Sequence, residues 1–433
     1  MARYVGLDVH KRTIAACMLD CEGRPVRRAT FDCTRTAIAQ FAKEQLEHSD
    51  VVALEATTNS WAVAEILEPY VARVVVSNPL KTKAIAESTV KTDKVDSQTL
   101  AQLLRVGFLP EVWHPSGPFQ LLRQLTVFYA SLINDRTRVK NRLQSLFHRR
   151  LIHCPVSTLF SQAGLRWMDS LEVSEHDRLI LELAKQQVFD LDAKSREVEQ
   201  RIARLAQNDH SIKLLMTLPG VSLMTAACLV GAIGEVARFR DGDHLAGYFG
   251  LVPRVKQSAD HCYYGSITKV GNNQVRKMLV LAARNLRTHP GPLGAYFRRM
   301  AKHKHINVAA TATARKLVTV AYLILKNGEP YRYAQPATTS QKFGQLHALA
   351  TQSKRAPVRV EAQPDEPVPP AGYRLQRRPA LDQVLVRDGL EPIHWQAVPK
   401  GEKLVMQNFP IISRESANRQ PRFAKARKPL HRY

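Results

Sequence analysis

The sequence predicts an α/β domain at the N-terminus, a long helical region after it and a basic tail at the end. Three observations support this order. Short runs rich in β-branched residues fill the first hundred residues, two long segments with helical periodicity follow, and the composition becomes proline-rich and polar beyond about residue 327. With 433 residues, 45% of them hydrophobic, the chain can form two or three domains with a sizeable core.

The first three short runs predict strands. They read "RYVGLDV", "TIAACMLD" and "VRRATFD", with the turns "HK" and "EGRP" between them, which is the spacing of an antiparallel meander. A helical stretch precedes "VVALEAT" and another, from Ser60, precedes "ARVVVSNP", so these later strands are expected to be parallel to the first. Three hairpin strands followed by alternating helices and strands is the order of a ribonuclease-H-like fold.

Two helical segments follow, at about 118–151 and 174–207. Apolar residues of the second recur with a 4-3 heptad spacing, whereas Asp135 and Arg142 interrupt the seam of the first. The spacing predicts an antiparallel coiled coil or a dimerising stalk, and a layer of a helical bundle fits it equally well. The first segment is also basic, which indicates either a solvated face or a nucleic-acid rail. The rail residues would be Arg136, Arg138, Lys140 and Arg142.

The second half predicts a compact, mostly helical domain. Its segment "LMTLPGVSLMTAACLVGAIG" resembles a helix-hairpin-helix, whose amides can hold a phosphate, although a plain pair of core helices fits as well. The proline-rich linker and basic tail are expected to be disordered, with the basic end in contact with phosphates or inert. The predicted domains span 1–112, 113–208, 209–328 and 329–433.

Charge and cysteine content limit the classes of function. Lys and Arg total 63 against 38 Asp and Glu, a net charge of +25, which favours a nucleic-acid partner over a merely solubilising surface. Six cysteines without a CxxC pair predict neither a zinc site nor a disulfide framework. No apolar run is expected to span a membrane and no leader precedes the first strand, so the expected location is the cytoplasm.

Four carboxylates stand at the ends of predicted elements. Asp8 closes the first strand, Glu55 ends a later one, and Asp93 and Asp96 lie one helical turn apart. In a ribonuclease-H-like sheet the two strands are neighbours, so the four acids are expected to share one cleft. Clustered carboxylates raise one another's pKa, and a hard divalent cation such as Mg²⁺ relieves the repulsion. Two such ions suit in-line attack on a phosphodiester.

Asp8 also has other interpretations. The stretch "GLDVHKRTIAACMLD" resembles the first phosphate loop of sugar kinases and actin-like ATPases, which share the same core fold. The sequence contains no second Asp-x-Gly loop and no late Gly-Gly adenosine motif, and its charge suits a polynucleotide better than ATP. Each acid can also be a turn residue or a helix cap. Asp20, at the end of the second strand, is predicted to be such a turn residue.

The motifs "GLDVHK", "LEAT", "KTDKVDSQTLAQLL" and "FGLVPRVKQSADHCYYGSITKVGNNQVRKMLVLAARN" occur in this order. Together they resemble the DEDD transposases of bacterial insertion sequences of the one-ten family, relatives of the Piv/MooV DNA invertases, from about residue 3 to 325. The resemblance implies a RuvC-like N-terminal domain and a C-terminal transposase domain with a serine nucleophile. The residues that it implies as Mg²⁺ ligands are Asp8, Glu55, Asp93 and Asp96.

An ungapped alignment with the family pattern makes Ser258 the nucleophile, with Ser266 as the rival, because Ala259 replaces the usual glycine. A serine hydroxyl needs activation by a base or a metal. No His–Asp relay is evident, although His261 is near in sequence, so the acidic cleft would have to supply the metal from the same or another subunit. The product would be a phosphoserine–DNA intermediate. The residues expected to hold nucleic-acid phosphates here are Lys11, Lys256, Lys269, Arg276 and Lys277.

The resemblance also implies partners. A structured guide (bridge) RNA would pair with both target and donor DNA, so that the protein reads shape and backbone. Homodimers and homotetramers without membrane contact are expected, in the bacterial cytoplasm at the nucleoid. The predicted function is an RNA-guided DNA transposase or recombinase. The alternatives are a metal-only RuvC-like nuclease or Holliday-junction resolvase, an ATP-dependent kinase of the actin-like fold, and a non-catalytic scaffold.

Overall fold

The structure, a computed structural model, describes residues 3–85, 93–115, 117–258, 261–352 and 380–393. At five of these positions it describes the backbone alone: Asp93, Lys94, Lys256, Ser258 and His261. The chain folds into two compact units, Met1–Ser116 and Gly117–Tyr433. The four-part division expected from the sequence stays a prediction.

The first unit is built on a mixed five-stranded sheet. Its strands are β1 (Tyr4–Val9), β2 (Thr13–Leu19), β3 (Pro25–Asp32), β4 (Val51–Glu55) and β5 (Arg73–Ser77). Their order across the sheet is β3-β2-β1-β4-β5. The pairs β1–β2 and β2–β3 are antiparallel, whereas β1–β4 and β4–β5 are parallel. The predicted meander with later parallel strands is therefore confirmed.

In the described part of the first unit, four α-helices accompany the sheet. They are α1 (Arg35–Gln45), α2 (Ser60–Leu67), α3 (Pro79–Ile85) and α4 (Asp93–Arg105), with α1 and α2 on one face of the sheet and α4 on the other. Val5, Leu7 and Val9 of β1 belong to one core with residues of α1 and α2. Because side chains alternate along a strand, Gly6 and Asp8 face the opposite side. Helix α4 packs on that side, against β1, β2 and β4.

The second unit is mostly helical and contains one β-hairpin. Its elements are α5 (Gly117–Arg149), α6 (Gln162–Asp169), α7 (Glu175–Ala206), α8 (His210–Met216), α9 (Leu223–Ile233), α10 (Gly242–Tyr248), β6 (Pro253–Ser258), β7 (His261–Ile267), α11 (Asn273–Asn285), α12 (Pro292–His303), α13 (Ile306–Asn327), α14 (Pro336–Thr351) and α15 (Leu381–Arg387). A mixed α/β unit is thus followed by a helical one, as predicted.

Helices α5 and α7 run antiparallel to each other. Tyr129 donates to Glu199 near one end of the pair, and Arg150 contacts Asp177 near the other. Their heptad positions are buried in a shared core, among them Leu132, Val139, Val188, Leu191 and Val198. Helix α9 also packs on α5, and α14 on α7, so the pair is at the same time a layer of a helical bundle. An antiparallel helix pair and a bundle layer therefore occur together, and the dimerising stalk stays a prediction.

The "LPGV" turn joins α8 to α9 inside the core. Leu218 and Val221 are fully buried. Gly220 has a φ of 79°, and a Cβ there would lie 2.6 Å from the Ala282 carbonyl oxygen of α11. A turn packed this closely on another helix favours the core-pair interpretation of this segment over a phosphate-binding hairpin.

The first part of the predicted linker differs from the prediction. Tyr331, Tyr333 and Phe343 are buried in the main core of the second unit, and α14 packs against α7 and α8. The polar composition predicted a linker here, because it gave no weight to the three aromatic residues that anchor the segment. Beyond α15, the Asp388 carboxylate lies 2.6 Å from Nε2 of His347 on α14. The rest of the predicted disordered tail, 353–379 and 394–433, lies outside the described residues.

Among the described helices, α13 alone is long and apolar enough to cross a membrane by composition, contrary to the expectation from the sequence. Half of its apolar window is buried inside the protein. It packs against α10, α11 and α12. We therefore describe α13 as a core helix of the second unit.

Lys342 of α14 closes the end of α8, and its removal is expected to destabilise the second unit. Its ammonium donates to the carbonyl oxygens of Met216 (2.9 Å) and Leu218 (2.6 Å). We expect Lys342→Met to lower the free energy of unfolding by about 1–3 kcal/mol, because the carbonyls of Met216 and Leu218 both lose the ammonium as a donor. Urea denaturation measures this change, with the exposed Lys316→Met as the control.

Lys342 also predicts a pH dependence. Burial lowers the pKa of Lys342 to about 8. The unfolded chain holds that proton up to about pH 10, so the free energy of unfolding should rise as the pH increases from about 8 to about 10. The Lys342→Met protein should lack this rise. Parallel pH profiles for the parent and the variant would contradict the assignment.

Candidate active site

Two carboxylates lie at the carboxyl ends of neighbouring parallel strands. Leu7 of β1 is paired in register with Leu54 of β4, and Asp8 and Glu55 each follow by one residue. Both leucines point into the core formed with α1 and α2. Because side chains alternate, Asp8 and Glu55 face the other side of the sheet. Both are half-buried, which leaves them within reach of a substrate.

Helix α4 lies directly on that face, above Gly6. A Cβ on Gly6 would be 2.0 Å from the Ser97 carbonyl oxygen and 2.7 Å from the Ala101 nitrogen, so only glycine permits this approach. Gln102 of α4 donates to the Gly23 carbonyl oxygen (2.8 Å), in the turn at the other end of β2. The N-terminus of α4 therefore points towards the sheet end that carries Asp8.

This direction brings the predicted acids to one end of one sheet face. Asp93 is the first residue of α4, and Asp96 lies one turn later, half-buried. Within the described side chains, no group of three or more His, Cys, Asp or Glu is close enough to hold a metal ion. The side chain of Asp93 lies outside that set. The acids are thus of a type that can hold a divalent cation, and the described side chains contain no preformed three-ligand cluster.

The turn after β1 contains a contact that the sequence did not predict. Nε2 of His10 lies 3.2 Å from Oδ2 of Asp8. The His10 imidazole therefore contacts the carboxylate itself. Lys11, next to it, is exposed.

Asn59 joins the loops that follow β1 and β4. Its Nδ2 donates to the His10 carbonyl oxygen (3.3 Å) and to Sγ of Cys33 (3.1 Å). Its Oδ1 accepts from the Thr57 hydroxyl (2.9 Å). Asn59 therefore positions the loop behind Asp8 relative to the loop behind Glu55. The only signal for it in the sequence was its place just after the "LEAT" motif.

Asp20 is a turn residue, as predicted. Its Oδ1 accepts from the backbone nitrogens of Glu22 (2.9 Å) and Arg24 (2.8 Å) in the β2–β3 turn. It therefore lies at the opposite end of the strands from Asp8.

The two candidate serines lie at opposite ends of the β6–β7 hairpin. Ser258 ends β6 at the tip, where its backbone is paired in register with His261. Ser266 is exposed near the base, next to Ile267, which pairs with Pro253. The two serines therefore cannot occupy the same position relative to a bound DNA strand, and a substitution at one leaves the other end of the hairpin unchanged.

Two family models match this chain. Residues 5–150 match the model of the IS110 DEDD transposases, described as "Transposase", and residues 212–298 match the model described as "Transposase IS116/IS110/IS902 family". The chain belongs to the IS110 family of transposases. It is a DNA-cutting and rejoining enzyme of that type, and the resemblance identified from its motifs is confirmed.

Three curated relatives of this transposase are similar to it over most of their length. The chain is 26% identical to the pilin gene-inverting protein of Moraxella bovis over 348 residues, which is 76% of this chain and 97% of the relative. It is 23% identical to a putative transposase, y4pF/y4sB, of Sinorhizobium fredii, covering 76% of this chain and 86% of the relative. It is 22% identical to the transposase for insertion sequence element IS1328 of Yersinia enterocolitica, covering 75% and 97%.

Arg276 of the transposase is engaged within the protein. Its Nη1 donates to the carbonyl oxygens of Phe249 (3.0 Å) and Val270 (3.1 Å), and its Nη2 donates to Oδ1 of Asn273 (3.1 Å). Burial lowers the pKa of Arg276. These contacts favour a structural role for Arg276, as the anchor of the loop before α11, over the predicted phosphate contact. Lys269, in the same loop, is exposed.

Lys277 lies on the same helix and remains exposed. Its Nζ is 3.4 Å from Oδ1 of Asn134 on α5, a long contact that leaves most of the ammonium in solvent. Lys277 therefore stays a candidate for a phosphate contact.

The basic side chains of the predicted nucleic-acid rail on α5 contact other groups of the protein. Nη2 of Arg136 donates to Asp192 (3.1 Å) and Nη2 of Arg142 to Gln187 (3.2 Å), both on α7. Lys140 lies over the ring of Phe160, 4.9 Å from its centroid, and burial lowers the pKa of Lys140. Arg138 pairs with Asp135 on its own helix (2.8 Å). These contacts fit the interpretation as a solvated face, and the nucleic-acid rail stays a prediction.

Gly6→Ala should damage both the fold and the site of the transposase. The new Cβ would overlap the α4 backbone at Ser97 and Ala101, so the helix must move off the sheet and carry Asp96 away from Asp8. We expect a loss of about 1–3 kcal/mol or more in the free energy of unfolding, together with reduced DNA cutting. Urea denaturation and a strand-cleavage assay measure the two effects.

Gly247→Ala is the matched control for this substitution. It adds the same methyl group within α10, where a Cβ would have no neighbour within 4 Å. If Gly6→Ala were as stable and as active as Gly247→Ala, the close packing of α4 on β1 could not be what positions the acids.

Proposed function

We propose that this chain is an RNA-guided transposase or recombinase of an insertion sequence that cuts and rejoins DNA through a Mg²⁺-dependent phosphoserine intermediate. The observation that carries the proposal is the position of Asp8 and Glu55. They end neighbouring parallel strands on the sheet face that α4 covers. Residues 5–150 match the DEDD transposases, a type that is usually metal-dependent, and this match supports the proposed dependence on a metal.

The N-terminal unit is proposed to have the RuvC-like, ribonuclease-H-like fold. Its strand order β3-β2-β1-β4-β5, with an antiparallel meander followed by parallel strands, supports this assignment. So does the family match over the same residues. The fold matters for the chemistry because it collects the strand-end acids at one edge.

Asp8, Glu55, Asp93 and Asp96 would hold the metal ions. Their carboxylate oxygens are the ligand type that Mg²⁺ prefers. When bound, the ions would neutralise the phosphate charge and stabilise the leaving oxygen. The His10 imidazole contacts the Asp8 carboxylate and orients it, and the Asn59 amide donates to the His10 carbonyl oxygen and holds this backbone in place.

Ser258 is proposed as the nucleophile. Its Oγ forms a bond to phosphorus while a backbone P–O bond breaks, and the electron pair of that bond goes to the departing deoxyribose oxygen, which takes up a proton. The serine proton passes to a base or to solvent. In the second step, a deoxyribose hydroxyl attacks the phosphoserine, releases Oγ and joins the strands. Because each broken ester bond is replaced by another, rejoining needs no nucleotide cofactor.

The proposed partners are target DNA, donor DNA and a guide RNA, bound by a homodimer or homotetramer. The net charge of +25 supports binding to polyanions. Lys11, Lys269 and Lys277 are exposed and available for such contacts. Lys256 also belongs to this set, since it lies on the same strand as Ser258.

A metal-only nuclease or junction resolvase is the second candidate. It is favoured by one observation: the full set of four acids lies within the first hundred residues, in one compact unit, so metal-assisted hydrolysis would not need a serine. The two candidates differ in whether a covalent intermediate forms.

Trapping of the intermediate tests the serine. Incubation with target DNA, donor DNA and the element's RNA should give a covalent protein–DNA adduct, visible as a band of reduced mobility in a denaturing gel. We expect the adduct with the parent and with Ser266→Ala, and none with Ser258→Ala. Loss in Ser266→Ala and retention in Ser258→Ala would reverse the assignment. Mg²⁺-dependent cleavage by the parent without any adduct would favour the resolvase.

Asp8→Asn tests the acidic site. We expect DNA cutting to fall by more than about 100-fold, since loss of even an outer-shell partner costs about 10- to 100-fold at metal sites. Binding of Mn²⁺, followed by electron paramagnetic resonance, should weaken in the same variant. Asp20→Asn is the control, because Asp20 only holds the β2–β3 turn. Equal cutting by the two variants would contradict the proposed role of Asp8.

A further inference from the structure

Residues 261–328 contain no aspartate or glutamate, although they include twelve lysines and arginines. At the frequency of the whole chain, 38 acids in 433 residues, a stretch of this length would contain about six. The stretch folds into β7, α11, α12 and α13. Helices α11 and α12 both pack on α13, so most of the positive charge of the stretch lies on these three helices and the chain between them.

Five of these cations lie around the corner between α11, α12 and α13, and all five are exposed. We call them the corner patch: Arg284, Arg287, Arg299, Lys302 and Lys304. None of them had been singled out as a candidate contact from the sequence motifs.

Hydrogen bonds fix the shape of this corner. Nη2 of Arg284 donates to Oδ1 of Asn307, in the first turn of α13 (2.6 Å). Nη1 of Arg298 donates to the carbonyl oxygens of Arg287 (3.1 Å) and His289 (2.7 Å), which ties α12 to the chain after α11. The backbone that carries the patch is therefore tied together by side-chain hydrogen bonds between these elements.

The corner patch has no acidic partner within the described residues. Elsewhere in the protein, cations pair closely with acids, as in Arg3–Asp50 (2.7 Å) and Arg150–Asp177 (2.8 Å). Arg315, which belongs to the same acid-free stretch, pairs with Asp243 from outside it (3.0 Å). The field of the corner patch thus extends into solvent, where it attracts anions.

Helix dipoles explain only part of the patch. Arg284 and Lys302 lie in the last turns of α11 and α12, where a cation is favourable by about 0.3–1 kcal/mol. Arg299 precedes the last turn, and Arg287 and Lys304 lie beyond the helix ends. Like charges gathered in this way repel one another, so the arrangement needs a further reason.

We propose that the corner patch binds the sugar–phosphate backbone of duplex DNA without reading its sequence. Arg299 and Lys302 are separated by a helical rise of about 4.5 Å, and Lys304 follows directly after α12, so the three cations can contact phosphates that recur about every 3.4 Å of the helix axis along one strand. DNA is the partner because this family cuts and rejoins DNA. The proposal does not depend on the identity of the nucleophile.

Neutralisation of three patch cations tests the proposal. The full-length variant Arg299→Gln/Lys302→Gln/Lys304→Gln is compared with the parent for binding to a fluorescent duplex of about 30 base pairs, by anisotropy over a range of salt. We expect affinity to fall about 10- to 100-fold at low salt. The slope of log K against log salt should become less steep by about 2–3, because each phosphate contact contributes about 0.9.

A matched control separates local contact from net charge. Lys194, Arg196 and Arg201 are exposed on α7 among acidic neighbours, so Lys194→Gln/Arg196→Gln/Arg201→Gln removes the same charge elsewhere. This control should bind duplex DNA nearly as the parent does. Equal losses in the two triple variants would mean a long-range effect of net charge and would overturn the proposal.

A charge-retaining variant controls for folding. Arg299→Lys/Lys302→Arg/Lys304→Arg should bind DNA as the parent does. If the glutamine variant melts at a lower temperature, Lys304→Gln alone, outside both helices, must still reduce the salt slope by about 0.9.

Loss of binding to single-stranded RNA with duplex binding intact would identify an RNA surface instead and reject DNA. Ser258→Ala should bind duplex DNA as the parent does, so a wrong nucleophile would leave this result unchanged.

Discussion

The close approach of α4 to β1 at Gly6 is the constraint on which the acidic site depends. The Ser97 carbonyl oxygen occupies the position where any side chain at residue 6 would begin. Because protein interiors are tightly packed, such backbone contact leaves the helix little freedom to slide or tilt. The hydrogen bond from Gln102 to the Gly23 carbonyl oxygen then sets the direction of the helix. The relative positions of the acids thus follow from backbone packing, while the His10 contact adjusts only one of them.

The sheet and its acids could be predicted because their signals are local. The turns after β1 and β2 and the alternation of apolar residues determine the meander, and strand ends can be read directly from the sequence. The contacts that complete the site are tertiary. The packing of Ser97 on Gly6, and the bond from Asn59 to His10 across 49 positions of the chain, leave no trace in local periodicity. The sequence therefore predicts which strand ends carry the acids, but not the contacts that position those ends.

For the basic residues, the sequence does not show which cations have partners within the protein. Arg136 reads as a surface cation until Asp192, 56 residues later, is brought beside it by the pairing of α5 with α7. Arg276 looks like a phosphate contact until backbone carbonyls are seen around its guanidinium. Counting positive residues cannot separate these from cations without partners. The missing acids between residues 261 and 328 are a better signal, because a stretch without acids cannot neutralise itself.

The docking of α14 onto the turn between α8 and α9 has a consequence for synthesis. The carbonyls of Met216 and Leu218 gain the Lys342 ammonium as a donor only after Lys342, more than 120 residues later, has left the ribosome. Tyr331 likewise donates its backbone nitrogen to the Thr217 hydroxyl. Until then, the nascent second unit has an open core at the end of α8. The enzyme therefore completes its helical unit late, after the chain that carries both candidate serines has already emerged.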